Sequence, residues 1–553
     1  MHVLSRETAG TLPSAGWPGA RRAQASIAGG IWWLALVSAW LLLCAPLLLV
    51  DLPPLTDYPN HLARMVVLSR LGDDPFLSLY YAAAWGIIPD LAIDAFMPAL
   101  LGVMPAPVAG KAVLAGILLL DVAGAAAYAA AIHGRRTWWS LGAALAAHNV
   151  AFMMGFLNFG LGTGLAMSLA AIWIRLRPAA PRLAAAGGAA AAALLFFCHL
   201  MGVFFFLVLV AAYEAWLART RLRLAGWTGA GLRRAAAAAA PLAAAVVPAA
   251  ALCWLGAPQA ADGETMFLSA GEKLWQLTWP FANYDRTLDL GAFACVWGLL
   301  LACLATRRLV IAPGAAAAVA VVAALYAVLP ISFGGTGFLD TRLSVMLGFL
   351  AFTAFRPRLD GRTGAAAGIV LAALLCVRVA TLSVAWNEWR TDTADARSLA
   401  ALVQPGERVV QIDIRPDEVD DYTDRAPLPW RLSTGYNTEY HLVGYFLIER
   451  SAFWPSLFVN PGQQPLRLRQ PYEALANAAH AVPGHAELSK RRAEGNPPAP
   501  NPYCAFDALI LTGTWAEPDP ATLAPDWLDF VAANRTAALY RIKGARRCTA
   551  SSQ

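Results

Sequence analysis

The run GGIWWLALVSAWLLLCAPLLLV, residues 29–50, passes directly into DLPPLTDYPNHLARMVVLSRL, residues 51–71. The first run is uncharged over its whole length and long enough to cross about 30 Å of hydrocarbon. The second is polar, opens on prolines and carries Asp51, Asp57, His61, Arg64 and Arg70. Together they read as a membrane span that delivers the chain to a wet surface. The run is too long, and the polar segment before it too extended, for a cleaved signal peptide, and no small-residue cleavage site follows, so the reading keeps it attached.

The composition agrees. Of 553 residues, 58% are hydrophobic and 14% charged, against about 25% charged in a soluble domain, which excludes an ordinary soluble enzyme. Further spans are read near 108–132, 137–156, 158–174, 183–198, 199–218, 235–256, 289–306, 309–331, 340–355 and 363–385, eleven with the first. Residues 86–107 are interrupted by Pro89, Pro98, Pro105 and Pro107, so 51–107 reads as a long first outer loop with interfacial or re-entrant helices. Alternate loops are basic, with Arg135, Arg136, Arg175, Arg177, Arg182, the Arg-rich stretch 219–234, Arg307, Arg308, Arg356, Arg358 and Arg362 on the side of the N-terminus. By the positive-inside rule, residues 1–28 are a cytoplasmic tail and the C-terminal domain is exported. The net charge of +6 comes from these orientation clusters, so no nucleic-acid partner is read from it. Glu214, near a cytoplasmic end, is expected to be solvated.

Residues 386–553 hold 37 of the 78 charged side chains and read as a small α/β domain. PGERVVQIDI, FDALILTG and AALYRI are short β-rich runs, and PYEALANAAHAV has helical spacing. Cys504 and Cys548 both fall there and are a candidate disulfide if the domain is exported. The expected architecture is a polytopic α-helical membrane protein of about eleven spans over residues 29–385 with an exported C-terminal α/β domain.

Chemistry-bearing residues concentrate on the outer side. In 51–71, Asp57 or Asn60 caps a helix that carries His61 and Arg64 at helical spacing. The outer loop 257–289 sets Lys273, Asp285 and Arg286 beside Trp275, Trp279, Phe281 and Tyr284, aromatic faces that suit sugar stacking and equally a membrane-interface belt. SFGGTGFLDTRLSVML brings Asp340 and Arg342 back into a span after a Gly-rich turn, and His199 opens a span after FFC. No GxxxxGK[ST], HExxH or GxSxG sequence occurs.

An N-in first span, a long acidic first outer loop, many further spans and an exported α/β domain resemble the GT-C class of integral-membrane glycosyltransferases. TDYPNHLAR is similar to the first-loop motif of bacterial GT-C-like proteins of unassigned substrate. The resemblance implies a polyprenyl-phosphate-linked sugar donor, a cell-envelope glycan, lipid or protein acceptor, and a first-loop carboxylate base, which falls on Asp57. It places the donor phosphate near Arg64 and Arg342, with His61, Lys273, Tyr284, Asp285, Asp340 and His199 as further substrate-binding candidates. Many members of the class carry two adjacent acids there, whereas Thr56 and Tyr58 flank Asp57, so a divalent cation stays open. The Ala-rich, Arg-over-Lys composition points to a GC-rich bacterial genome, and the expected location is the bacterial inner membrane. Two other classes stand beside this one: a transporter or lipid flippase, and a noncatalytic membrane protein with an exported binding domain.

Overall fold

Apolar length organises the first four hundred residues. The computed structural model describes residues 18–256, 263–413, 428–480, 505–513 and 528–543. Among them seven helices are long and apolar enough to cross a membrane, lying within Gly29–Leu48, Ala106–Ile132, Leu157–Leu176, Pro181–Cys198, Leu200–Leu224, Arg286–Ala305 and Gly361–Ala400. Each coincides with a span read from the sequence, and the chain is a polytopic helical membrane protein with a small C-terminal sheet region.

Of the other four expected spans, 235–256 and 340–355 fall in helices near the expected bounds, whereas 309–331 and 137–156 are divided. Residues 309–331 divide into a strand, Leu309–Ile311, and a 14-residue helix, Ala315–Val328, separated by Gly314 in a left-handed conformation. Residues 340–355 fall in a 15-residue helix, Leu339–Thr353. Residues 235–256 lie in the continuous 27-residue helix Gly229–Leu255, which holds Pro241 and Pro248 within it. Residues 137–156 form a 3₁₀ helix, Trp139–Ala146, and a one-turn helix, Val150–Met153, capped by the Asn149 side chain on the Phe152 amide at 3.0 Å. Asn149 and the glycine at 155 break the run, which apolar composition alone does not reveal.

Small residues set the closest helix approach. A Cβ on Gly124 would sit 2.4 Å from the Gly164 carbonyl oxygen, so Ala106–Ile132 and Leu157–Leu176 meet backbone to backbone. Glu214 is a correction: it is 3% exposed and receives Arg177 at 2.6 Å and the Trp173 indole at 3.0 Å. A carboxylate taken from water at that depth needs those donors.

The helix Gly361–Ala400 runs unbroken for 40 residues, about 60 Å, twice the hydrocarbon thickness. Its second half buries Trp386, Trp389, Asp392, Thr393 and Ala396, with the Trp389 indole donating to the Leu52 carbonyl at 2.8 Å and Asp392 paired with Arg535 at 2.9 Å. The change in composition at residue 385 therefore falls within one continuous helix.

The C-terminal sheet has four strands in the order Val409–Asp413, Ala508–Thr512, Ala537–Ile542, Leu528–Ala533. The first pair is parallel and the other two antiparallel. Ala508–Thr512 is buried at every position, as a central strand of an apolar run should be. Three of these strands are the β-rich runs of the sequence. Cys504 and Cys548 lie outside the described residues.

The first loop does not stand apart from this region. Its short strand Tyr81–Ala83 pairs antiparallel with Leu466–Leu468, and the Arg469 amide donates to the Tyr80 carbonyl at 2.9 Å. Helices Tyr58–Arg70 and Ala92–Leu101 complete the loop.

Candidate active site

The backbone around Asp57 is held from two sides. The Thr56 and Asp57 amides donate to the Met153 and Met154 carbonyls at 3.1 and 3.0 Å, while the Thr56 hydroxyl donates to the Asn437 carbonyl at 2.7 Å. Gly155, at φ 80°, makes this approach feasible, because a Cβ there would lie 2.7 Å from the Tyr58 nitrogen. The segment is thus clamped between the break after Met153 and the C-terminal region.

Asp57 occupies the N-cap position of Tyr58–Arg70, yet its side chain makes no capping hydrogen bond. Its Oδ1 lies 3.3 Å from His441 Nε2, and a fifth of the side chain stays accessible. A cap aspartate normally spends its carboxylate on the first-turn amides; this one is turned toward another group. Asn60, completely buried, touches the other side of the same imidazole, with Nδ2 3.2 Å from His441 Nδ1. The ring is packed edge-on by Phe458, Trp454 and Tyr440.

Arg342 stands near this carboxylate, with both Asp57 and Asp90 within Coulombic reach. Its guanidinium lies over the Phe156 ring at 4.9 Å and near Phe159 at 5.9 Å, and Nη1 donates to the Gly337 carbonyl. Its Nε–H is buried without a hydrogen-bond partner among the described residues. Phe338 touches both Phe156 and Tyr436, at 5.3 and 5.2 Å between ring centres. A fork with an unspent donor, ringed by aromatic faces, suits a planar or tetrahedral oxyanion.

Asp90 closes the group. Its left-handed backbone, φ 62°, is fixed by Asn158, whose Nδ2 donates to the Asp90 carbonyl at 2.6 Å and whose Oδ1 accepts the Ile93 amide. The side chain is 46% accessible, with His199 Nε2 at 3.8 Å from Oδ1. That oxygen has no hydrogen-bond partner among the described residues. Burial pushes the Asp90 carboxyl up to about 6, against the opposing pull of Arg342 and Arg64. Phe338 shares the left-handed conformation at φ 61°, costly for a bulky side chain and a recurrent mark of functional sites.

The remaining expected residues divide by what they touch. Arg64 is 2% exposed and committed to a fork-on-fork pair with the fully buried Asp94, at 2.9 and 2.8 Å. Lys273 spends its three donors on the Tyr326 and Leu329 carbonyls and on Asp340 at 2.8 Å, while Asp340 also accepts from Gln276 at 3.0 Å. Asp285 caps Arg286–Ala305 through the Thr287 and Leu288 amides. Buried Tyr284 donates to the Pro54 carbonyl at 3.5 Å, behind the Asp57 segment. His199 accepts the Met201 amide at Nδ1, which leaves its Nε2–H toward Asp90. His61 packs edge-on to Phe458 at 5.4 Å; burial first, then Arg64 and His441, hold its imidazole well below the usual histidine range.

The structure therefore brings Asp57, Arg342, His199 and His61 around one region and adds Asp90, Asn60, His441, Phe156 and Tyr436. It sets Lys273 with Asp340, and Asp285, in separate bonding. The apolar run near 156, the pre-helical Pro89–Asp90 pair and the YNTEYH segment containing Tyr436 and His441 carry no spacing that links them to Asp57 in sequence. Among the described residues no three histidine, cysteine or acidic side chains converge as a metal site.

No family model matches the chain, and neither does any curated protein. Among solved structures it is similar to crystal structures of ArnT from Cupriavidus metallidurans. The apo form is 13% identical over 95% of this chain and 100% of that one, with a TM-score of 0.47. The form bound to undecaprenyl phosphate is 13% identical over 94% and 99%, with a TM-score of 0.49.

Proposed function

We propose that this chain is a GT-C-type glycosyltransferase that moves a sugar from a polyprenyl-phosphate carrier to a cell-envelope acceptor at the outer face of a bacterial inner membrane. The observation that carries the reading is Asp57: a cap-position carboxylate that makes no cap bond and has a partly accessible side chain, with Arg342 nearby.

The chemistry follows from those positions. An acceptor hydroxyl donates to the free oxygen of Asp57, and its oxygen attacks the anomeric carbon of the donor sugar. The bond from that carbon to the phosphate oxygen breaks, the proton passes to Asp57, and the polyprenyl phosphate leaves as an anion. Base assistance of this kind contributes about 10²- to 10⁴-fold. The Arg342 guanidinium meets the leaving phosphate, and the rings of Phe156, Phe338 and Tyr436 offer faces for the sugar. Asp90 and His199 recognise its hydroxyls. Arg64, tied to Asp94, supports the base helix.

The test is transfer from radiolabelled polyprenyl-phosphate sugars by wild type and Asp57→Asn in lipid nanodiscs, with insertion checked by limited proteolysis. Loss of glycan product with a wild-type digestion pattern is expected. Full transfer by Asp57→Asn overturns the assignment, and movement of labelled lipid between leaflets without transfer favours a flippase.

A further inference from the structure

Two backbone groups fix a proton more than one residue away. The Phe458 amide donates to Asn60 Oδ1 at 2.8 Å, and Asn60 Nδ2 donates to the Ser456 carbonyl at 2.8 Å. This allows one orientation of the Asn60 amide, since the flipped form would set oxygen against carbonyl oxygen and nitrogen against N–H. One hydrogen of Nδ2 is then spent on Ser456, and the other points at His441 Nδ1, 3.2 Å away. An N–H facing Nδ1 requires a lone pair there. The ring of a neutral imidazole must carry its proton on the opposite nitrogen, Nε2, which lies 3.3 Å from Asp57 Oδ1.

We propose that His441 is a positioning residue for the base: the Asn60 amide, oriented by the Ser456 and Phe458 backbone, locks His441 as the Nε2–H tautomer, whose N–H lies on the Asp57 Oδ1 side at 3.3 Å and leaves Oδ2 to take the acceptor's proton. The role in catalysis rests on the reading of Asp57 as base; the tautomer does not. The arrangement also explains why Asp57 caps nothing. Its carboxylate is drawn out of the helix axis by a donor from the C-terminal region, and the edge-on contacts of Phe458, Trp454 and Tyr440 keep that donor from swinging away. The base is thus built from two distant segments: the first loop supplies the carboxylate and the amide, and residues 441–458 supply the imidazole and the groups that set the amide.

The direct measurement is the ¹⁵N spectrum of the full-length protein, ring-labelled at histidine and reconstituted in nanodiscs, with the His441 signals assigned by their absence in His441→Gln. Protonation at Nε2 with a bare Nδ1 is expected; an Nδ1–H tautomer or a doubly protonated ring at neutral pH overturns the proposal. The kinetic arm compares His441→Gln, whose amide retains a donor, with His441→Phe, which retains the shape alone. His441→Phe should lose about 100-fold in kcat with the donor KM unchanged, and His441→Gln should recover most of it. An unaltered kcat in His441→Phe overturns the positioning role, and if that variant does not insert, the spectrum decides. Should Asp57→Asn prove fully active while Nε2 carries the proton, the reading of the base fails and the tautomer lock stands.

Discussion

Asp57 Oδ1 and His441 Nε2 face each other at 3.3 Å although more than two thirds of the chain lies between them. If the pair acts as one device, its losses do not multiply. Asp57→Asn alone is expected to lower kcat by about 10²- to 10⁴-fold. Adding His441→Phe to it should cost less than about threefold more, because residues that work as a unit are strongly non-additive. Single-turnover transfer rates for the four proteins of the cycle measure this, and fully multiplicative losses would separate the two residues.

Arg342 is expected to govern affinity for the donor. A charge-assisted hydrogen bond contributes about 1.5 to 3 kcal/mol, so Arg342→Gln should raise the donor KM about 10- to 100-fold. Arg342→Lys should restore only part of the loss, since an ammonium lacks the planar fork. Retention of wild-type affinity by Arg342→Gln, measured with a fluorescent polyprenyl-phosphate sugar, would remove the phosphate from this position.

Asp90 is expected to make donor binding depend on pH. Its carboxyl is raised to about 6 by burial, so it is ionised above that pH and neutral below it. The ionised form offsets the charge of Arg342, and the neutral form does not. Binding of a phosphodiester-linked donor, whose own charge is constant in this range, should therefore tighten as pH falls through about 6. Asp90→Asn should bind at neutral pH as wild type does in acid, with a flat profile. An unchanged pH dependence in that variant would assign the titration to another group.

Arg64 and Asp94 are expected to matter to the fold. With exposures of 2% and 0%, removal of one charge strands the other in a dry interior, at a cost of about 3 to 5 kcal/mol. Asp94→Ala should lower the thermal midpoint in nanodiscs markedly, whereas the pair Arg64→Met with Asp94→Leu should fall much less. Equal losses in the two proteins would show that packing rather than charge holds the site.

The spans were legible where length and apolarity sufficed, as in Ala106–Ile132 and Leu200–Leu224. They were not legible at 137–156, where the same apolar alphabet folds as 3₁₀ turns around Asn149 and Gly155. The position of Asp57 was readable from its place after a span and before a helix, whereas the absence of its cap bond was not, since that depends on a histidine far downstream. Arg64 and Arg342 looked alike as outer arginines. Only the fold distinguishes them, by pairing Arg64 with the buried Asp94 and setting Arg342 against the Gly337 carbonyl and the Phe156 ring. Asp90 follows Pro89 in a segment whose apolar neighbours suggested interfacial helix, and nothing local signals a left-handed aspartate.

The ladder between Tyr81–Ala83 and Leu466–Leu468 dictates an order of assembly. While the ribosome is still making the middle of the chain, the early acidic loop has no partner strand and its carboxylate has no imidazole beside it. The site is completed only when the late segment emerges on the same side of the bilayer and zips onto the waiting edge. A chain cut short before residue 441 would lack the imidazole that faces Asp57 and is expected to be inert in the transfer assay.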